Sequence, residues 1–317
     1  MPGLELKVWG ASLAVALAVV STSACSAASP APEAPARTGG ASTDASPSAG
    51  TGSPIYLLVG NQTYSANVFQ WRLGATDAKQ ITYNKSQYGI SAIDGSRSGI
   101  VVANAATGAD HLAELANDKL VPIRLPRQSR IGAPQISATG SLLFQGVRFL
   151  PDKSYLYTVA VRSRVASGAV RNLIVRKTPF ASATWTNVAG QIAVLNSRPH
   201  RKRFSIEVMS SSGKKLRSIA GDAGSFLFNM STSPTSPLAS LTNAKGYSVL
   251  VNLQTSRIRP IAAGWSTLCW RPNGQDVLAT NGSALGLVSA RRPRQAPRVV
   301  GHFAGANVYG CAWPGGR

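Results

Sequence analysis

Cysteine, histidine and acidic residues are all scarce in this chain of 317 residues. It has three Cys, three His and 12 Asp or Glu. So few thiols and imidazoles exclude a multi-cysteine zinc array and a disulfide-dense scaffold. The sequence also has no HExxH pair, no Gly-x-Ser-x-Gly elbow and no phosphate-binding loop. The sequence therefore indicates no particular reaction, and we expect no catalytic residue, no metal and no cofactor.

Long apolar runs are missing as well, although a membrane-spanning helix needs roughly 20 apolar residues. The longest run, Val8–Val20, has 13 uncharged, mostly apolar residues behind Lys7. A short run of this kind at the N-terminus is typical of the central region of a secretory signal peptide. Residues 1–25 are therefore predicted to direct export, and no transmembrane helix is expected in the mature protein.

Cys25 ends this segment, directly after the small residues Ser21-Thr22-Ser23-Ala24. The pattern resembles a bacterial lipobox, in which the cysteine is lipidated and becomes the new N-terminus. The resemblance implies a lipoprotein held on the outer face of the cytoplasmic membrane. The alternative is ordinary signal-peptidase cleavage, for example after Ala28, which would remove Cys25 and release a secreted protein.

Residues 26–53 are almost entirely Ala, Ser, Pro, Gly and Thr, with no large apolar residue. Such a segment cannot bury enough surface to offset the entropy of ordering, so we predict a disordered tether. As a flexible coil its 28 residues would span roughly 30 Å. A plain disordered N-terminus without an anchor is the alternative, and both exclude this stretch from the fold.

From Pro54 onward, short apolar runs alternate with turn residues, and two hairpin-like units recur. The first unit is a strand, a tight turn and an apolar strand, with turn residues at Gly95, Gly140, Gly190, Pro237, Gly274 and Gly315. Successive spacings between these turns are 45, 50, 47, 37 and 41 residues. The second unit alternates with the first along the chain, as in 68–81, 205–219, 248–261 and 285–300.

A period of 40–50 residues that holds four short strands is typical of a β-propeller blade. The 264 residues from 54 to 317 would make six blades of 44 residues. The chain enters with the second unit and ends with the first, so the C-terminal strand should complete the first blade and cover its open edge. We predict an all-β, six-bladed propeller; seven blades or an irregular sandwich are the alternatives.

Residues 270–274, Trp-Arg-Pro-Asn-Gly, carry the most specific copy of the first unit. They resemble the repeat of TolB-like, or WD40-like, propellers, which reads aromatic-Ser-Pro-Asp-Gly before an apolar strand. Arg271 and Asn273 replace the Ser and Asp, and 313–315 match in part. The motif is structural rather than catalytic. The resemblance implies an exported bacterial envelope protein, here in lipoprotein form, that binds other proteins.

Cys269 and Cys311 occupy corresponding strands of the last blade and of the blade that closes the ring. Neighbouring blades would bring them close together, and export would place them in an oxidising compartment. We predict a disulfide between them. Two buried thiols too far apart to bond are the alternative.

Basic residues greatly outnumber acidic ones, 33 Lys and Arg giving a formal net charge of +21. For an exported protein this favours an anionic wall or lipid surface over nucleic acid as a partner; the alternative is that the charge only aids solubility. The predicted rim residues for binding are Trp265, Arg201, Lys202, Arg203, Arg291 and Arg292.

We expect a monomeric, non-catalytic scaffold that contacts an envelope protein or an anionic envelope surface. The alternative is a propeller enzyme, a lyase or hydrolase acting on an extracellular substrate. It would use carboxylates or His302 in the central funnel.

Overall fold

The structure is a computed structural model, and it describes most of the chain beyond residue 51, with short gaps. The described residues are 52–60, 66–83, 89–104, 111–125, 130–163, 168–197, 203–222, 227, 229–243, 246–282, 284–303 and 306–315. Residues 1–51, with Cys25, lie outside this part. The predictions of a signal peptide, a lipid anchor and a tether therefore stay predictions.

All regular structure in the described residues is β-strand, in six four-stranded antiparallel sheets. Each sheet is one blade, which runs from an innermost strand to an outermost one. In that order, blade 1 is β24 (Asn307–Ala312), β1 (Ile55–Gly60), β2 (Ala66–Trp71) and β3 (Ala78–Gln80). Blade 2 is β4 (Ile90–Ser96), β5 (Gly99–Asn104), β6 (His111–Ala116) and β7 (Lys119–Pro122). Blade 3 is β8 (Arg130–Ile136), β9 (Leu142–Phe149), β10 (Tyr155–Arg162) and β11 (Val170–Arg176).

The remaining three blades follow the same order along the chain. Blade 4 is β12 (Ser182–Trp185), β13 (Gln191–Ser197), β14 (Arg203–Ser210) and β15 (Lys215–Asp222). Blade 5 is β16 (Asn229–Thr232), β17 (Leu238–Thr242), β18 (Ser248–Asn252) and β19 (Ile258–Pro260). Blade 6 is β20 (Ser266–Trp270), β21 (Asp276–Thr280), β22 (Ala284–Ser289) and β23 (Arg298–His302).

The six innermost strands contact one another in a closed ring, in the order β24, β4, β8, β12, β16, β20 and back to β24. The C-terminal strand β24 pairs with β1, for example Leu57 with Cys311, so it completes the first blade. The predicted six-bladed propeller and its closure by the last strand are confirmed. Seven blades and an irregular sandwich are both wrong.

The two predicted units are the inner and outer hairpins of blades 2–6, and in blade 1 the pair β24 and β1 takes the place of the inner hairpin. The first unit pairs the first and second strands, as in β20 and β21, and the second pairs the third and fourth, as in β14 and β15. We call the end of a blade that carries these two turns the hairpin end. The opposite end, with the second-to-third connection and the links between blades, is the crossover end. The first folded residues, ahead of β1, lie at the hairpin end beside Gly315.

Gly274 shows why the turn of the first unit needs glycine. Its φ is +67°, in the left-handed region, and a Cβ there would overlap Thr235 Oγ1 of the neighbouring blade. Only a residue without a Cβ meets both conditions without strain. Gly274, four positions after Trp270 in the repeat, is therefore required both by the local turn and by the close approach of blades 5 and 6.

Apolar side chains form six buried clusters, and most of them are shared between neighbouring blades. One joins blades 6 and 1 through Leu268, Leu278, Leu57 and Trp71. Because each blade lends one face to each neighbour, closing the ring buries faces that an isolated blade would expose. Trp71, Trp185 and Trp270 take part in these clusters and are 2–6% exposed.

Candidate functional site

A disulfide joins the two innermost strands on either side of the ring closure. It links Cys269 of β20 to Cys311 of β24, with the two Cα atoms 5.6 Å apart. Both residues are buried within the cluster between blades 6 and 1. The predicted pairing is confirmed, and the bond fixes the C-terminal strand to the last blade rather than forming a reactive site.

Several basic side chains on outermost strands are occupied by contacts with the next blade. Arg259 of β19 donates from Nη2 to the Ala290 carbonyl, 2.8 Å away, in the β22–β23 turn. Arg217 of β15 donates from Nη1 to the Leu253 carbonyl of blade 5 at 2.8 Å, and also to the Gln254 carbonyl. Lys79 of β3 binds Asp118 of the β6–β7 turn. Some of the excess basic residues therefore join neighbouring blades by donating hydrogen bonds to backbone carbonyl oxygens. These side chains need no acidic partner.

The few carboxylates are dispersed, and at least half of the eight described ones pair with a base. The ion pairs are Lys79–Asp118, Lys177–Asp152, Lys215–Glu207 and Arg271–Asp276, at 2.8–3.3 Å. Hydrogen bonds from Ser154, together with Lys177, lower the pKa of Asp152 from 3.8 to about 2. Within the described residues, no group of three or more His, Cys, Asp or Glu could hold a metal ion. The same residues contain no helix able to cross a membrane.

A small cavity lies at the hairpin end, among residues of innermost strands and of the turns that follow them. Trp270, Pro272, Trp313 and Asp94 surround a space of about 20 Å³, enough for a single water molecule. The Asp94 carboxylate accepts a hydrogen bond from the Ile136 amide at 2.8 Å, which joins blade 2 to blade 3. This cavity is too small for a substrate.

His302 does not lie in the central funnel, so that part of the enzyme alternative is wrong. It ends β23, the outermost strand of blade 6, where its side chain is exposed. The reason is the order of strands in a blade. The chain moves outward from the channel through each blade, and His302 ends the fourth strand rather than the first.

A groove of about 180 Å³ lies between blades 4 and 5 at their hairpin ends. Val208 and Leu253 are buried in its floor, whereas Val188 and Leu216 are 40% and 47% exposed. Arg217 also lines the groove, held by its hydrogen bonds to the Leu253 and Gln254 carbonyls. Polar side chains, Thr186, Asn187, Gln191 and Gln254, line the rest, so the groove combines apolar and polar surface with one fixed cation. We call it the blade 4–5 groove.

The predicted rim residues do not form one site. Arg203 opens β14 at the crossover end of blade 4, whereas Arg291 and Arg292 lie in the β22–β23 turn at the hairpin end of blade 6. All three are exposed. Arg201 and Lys202 lie outside the described residues. The basic residues thus lie in different blades and at opposite ends of the propeller, although they look alike in the sequence.

Trp265 lies in the link that precedes β20, and its side chain packs against β22. A Cβ on Gly286 would lie 2.8 Å from its Cζ3 atom, so the indole rests directly on the glycine backbone. The side chain is partly buried against the cluster between blades 5 and 6. Its use as a binding aromatic stays a prediction.

The blade 4–5 groove was missed at the sequence level because its parts are far apart in the chain. Val188 comes from the β12–β13 turn, Leu216 from β15 and Leu253 from the β18–β19 turn. The sequence offered only two local hints of this groove. Leu216 interrupts the basic run Lys214-Lys215-Leu216-Arg217, and Val188 is an apolar residue within a turn. Neither residue alone would point to a site, because single exposed apolar residues are common on protein surfaces.

Comparison with known proteins identifies the fold. No family model matches the sequence, and no curated protein matches it either. A chain from the crystal structure of a nidogen/laminin complex is similar in structure, with a TM-score of 0.62 and 9% identity over 82% of this chain and 98% of that one. TolB from Acinetobacter baumannii has a TM-score of 0.61 and 16% identity, over 83% of this chain and 67% of TolB. The predicted TolB-like propeller fold is confirmed.

Proposed function

We propose that this protein is an exported, non-catalytic binding scaffold whose protein partner docks in the blade 4–5 groove. The observation that carries the proposal is the exposed apolar pair at that groove, Val188 and Leu216, above a buried apolar floor. Apolar side chains that are partly exposed around a concave surface commonly mark a site of protein contact.

The chemistry of the groove selects an extended segment that carries an apolar side chain next to an acidic one. The apolar side chain would fill the space between Val188 and Leu216. Arg217, which is held in place by two carbonyl groups, would face the acidic side chain without first losing conformational freedom. Exposed Lys214 extends the positive potential along the same edge.

The fold supports a binding function by analogy. One structurally similar chain comes from a complex between two proteins, nidogen and laminin. Six blades without a helix or an insertion of regular structure, within the described residues, give a rigid surface to which partners can bind. Because both similar chains have low sequence identity, the analogy supports the class of function and not a particular partner.

We also propose that the protein is exported and anchored to the membrane. The Cys269–Cys311 disulfide supports an oxidising location. We propose that Cys25 is lipidated and that residues 26–53 tether a monomeric propeller to the outer face of the membrane; a secreted form is the alternative. Catalysis is the second candidate function, and the pairing of at least half the described carboxylates with bases weighs against it.

Site-specific photo-crosslinking in the cells that make the protein tests the groove. The cross-linking amino acid benzoylphenylalanine would replace Leu216, and in a control it would replace Tyr83, which is 74% exposed in the link after β3. We expect one reproducible envelope protein to be cross-linked from position 216 and not from position 83. The same adduct from both positions would contradict docking in the groove.

A substitution separates binding from mere proximity. Leu216→Asp should abolish the complex, because it removes the apolar contact and places a carboxylate against the acidic side chain of the partner. Val299→Asp is a matched control, since Val299 is a similarly exposed apolar residue, 50%, on the outermost strand of blade 6. If both variants retain the complex, or both lose it, the groove is not the docking site.

A further inference from the structure

Three aromatic side chains form a row at the crossover end of blade 3, which we call the aromatic strip: Phe149, Tyr155 and Tyr157. Phe149 pairs directly with Tyr155 across β9 and β10, and Tyr157 follows Tyr155 by two residues on the same strand. The ring centroids are 5.6 Å and 6.2 Å apart. Strand pairing therefore places all three rings on one face of the sheet.

The strip continues into the protein at one end and meets solvent at the other. Tyr157 packs edge-on against buried Phe180, with ring centroids 6.4 Å apart, and this anchors the row to the cluster between blades 3 and 4. Phe149, at the opposite end, is 43% exposed. Burial raises the pKa of Tyr157, and a tyrosine hydroxyl is protonated at neutral pH and able to donate even at its ordinary pKa. The rings are thus held rigidly by the sheet while part of their surface remains accessible.

The hydroxyl groups and the surrounding charge indicate the chemistry of the ligand. Within the described residues, neither the Tyr155 nor the Tyr157 hydroxyl makes a hydrogen bond to the protein. The β9–β10 turn between Phe149 and Tyr155 contributes exposed Lys153. Lys177 lies beside it, bound to Asp152 at 3.1 Å. Because Asp152 pairs with Lys177, Lys153 is the one of these two cations left to attract a ligand, and rings that offer apolar faces, unused hydroxyls and a nearby cation suit sugar rings that carry negative charge.

We infer that the aromatic strip binds an anionic glycan, a chain of sugar rings bearing acidic groups. Sugar C–H faces would stack on the row of rings, hydroxyls would exchange hydrogen bonds with Tyr155 and Tyr157, and Lys153 would attract the acidic groups. The rings tilt by 59° and 40° from one to the next, which suits a flexible chain rather than a flat crystalline surface. This inference rests on the proposed export of the protein but not on the blade 4–5 groove.

Three soluble probes distinguish this ligand from the alternatives, with binding to the full-length protein measured by calorimetry. Oligoglucuronate carries sugar rings and charge, an oligoglucose of equal length carries sugar rings alone, and poly-L-glutamate carries charge alone. We expect oligoglucuronate to bind most tightly, and its affinity to fall as salt increases. Absence of oligoglucuronate binding, or equally tight binding of poly-L-glutamate, would overturn the inference.

Variants locate the binding on the strip. Tyr155→Ala should weaken oligoglucuronate binding about tenfold, because it removes the central stacking surface. Tyr155→Phe keeps the ring and loses the hydroxyl, so it should fall between Tyr155→Ala and the unchanged protein. Tyr247→Ala removes an exposed tyrosine, 39%, from blade 5 and should bind as the unchanged protein does. Equal affinities for Tyr155→Ala and Tyr247→Ala would place the glycan elsewhere.

These tests are independent of those for the groove. Leu216→Asp should leave oligoglucuronate binding unchanged, because Leu216 lies at the hairpin end of blade 4. Tyr155→Ala should likewise leave the protein complex of the groove intact. Urea unfolding of each variant would verify that the propeller remains folded, and Tyr155→Phe provides a readout should Tyr155→Ala fail to fold.

Discussion

The disulfide at the ring closure should contribute a large share of the stability of the propeller. Replacing Cys269 and Cys311 with Ala removes a cross-link between residues 42 positions apart. In the chain-entropy description, a loop of this length restricts the unfolded chain enough to stabilise the folded state by about 4 kcal/mol. The folded structure should lose little besides the bond, because two small, buried side chains replace two others.

The position of the disulfide at the ring closure determines which strands loosen when it is removed. Strand β24 is held in blade 1 by its pairing with β1 and by the disulfide to β20. Without the bond, the C-terminal strand can separate from β1 and expose the edge that it covers. Amide exchange should therefore quicken first in β24 and β1, before it does so in β12 or β13 on the far side of the ring.

Equilibrium unfolding in urea, followed by tryptophan fluorescence, measures the effect. All proteins compared would carry Cys25→Ser, so that no third thiol can exchange with the pair. We expect a free energy of unfolding about 4 kcal/mol lower in Cys269→Ala/Cys311→Ala, and a similar loss after reduction of the unchanged pair. A loss below about 1 kcal/mol in both cases would refute the argument that the bond restricts the unfolded chain.

Three further predictions concern single residues. Gly274→Ala should destabilise the propeller by about 1–3 kcal/mol, more than Gly264→Ala, because both residues have a positive φ but only Gly274 lacks room for a Cβ; equal losses in urea unfolding would rule out the steric contribution. Arg259→Ala should cost about 1–2 kcal/mol through its lost hydrogen bond to the next blade, whereas exposed Arg257→Ala should change stability by less than about 0.5 kcal/mol. Asp152 should titrate near pH 2 by carboxyl carbon NMR, since its pKa is lowered on folding. Its stabilising contribution would be complete above the unfolded value near pH 3.8 and lost as the pH falls through 2; titration at an ordinary pKa would contradict the Ser154 and Lys177 contacts.

The hairpins of the propeller were predictable because their causes are local. A tight turn with glycine, as at Gly274, and alternating or apolar strands on both sides of it are encoded within about a dozen residues. Regular recurrence of that unit then fixed the number of blades, and the incomplete first and last units predicted the closure. The Cys269–Cys311 pair followed from the same register, since equivalent strands of neighbouring blades lie side by side.

The segment 111–120 carries a helical pattern too weak to predict a helix, and it forms strands. Its spacing of apolar residues is the nearest in the folded part to an amphipathic helix. The structure instead folds it into the β6–β7 hairpin, with Asn117 and Asp118 in the left-handed region at φ 50° and 60°. Two short polar residues that tolerate positive φ make the turn of a tight hairpin, and pairing with β5 decides in favour of the strand.

By itself, the sequence determined the all-β class, six blades, the closure and the disulfide, because repetition and short-range turn chemistry carry that information. Only the tertiary structure decided which side chains meet between blades. It brought Val188, Leu216 and Leu253 into one groove, assigned Arg217 and Arg259 to carbonyl oxygens of the next blade, and moved His302 to the outside. The physical reason is that blade-to-blade packing joins residues some 30–65 positions apart, and no local periodicity records such contacts.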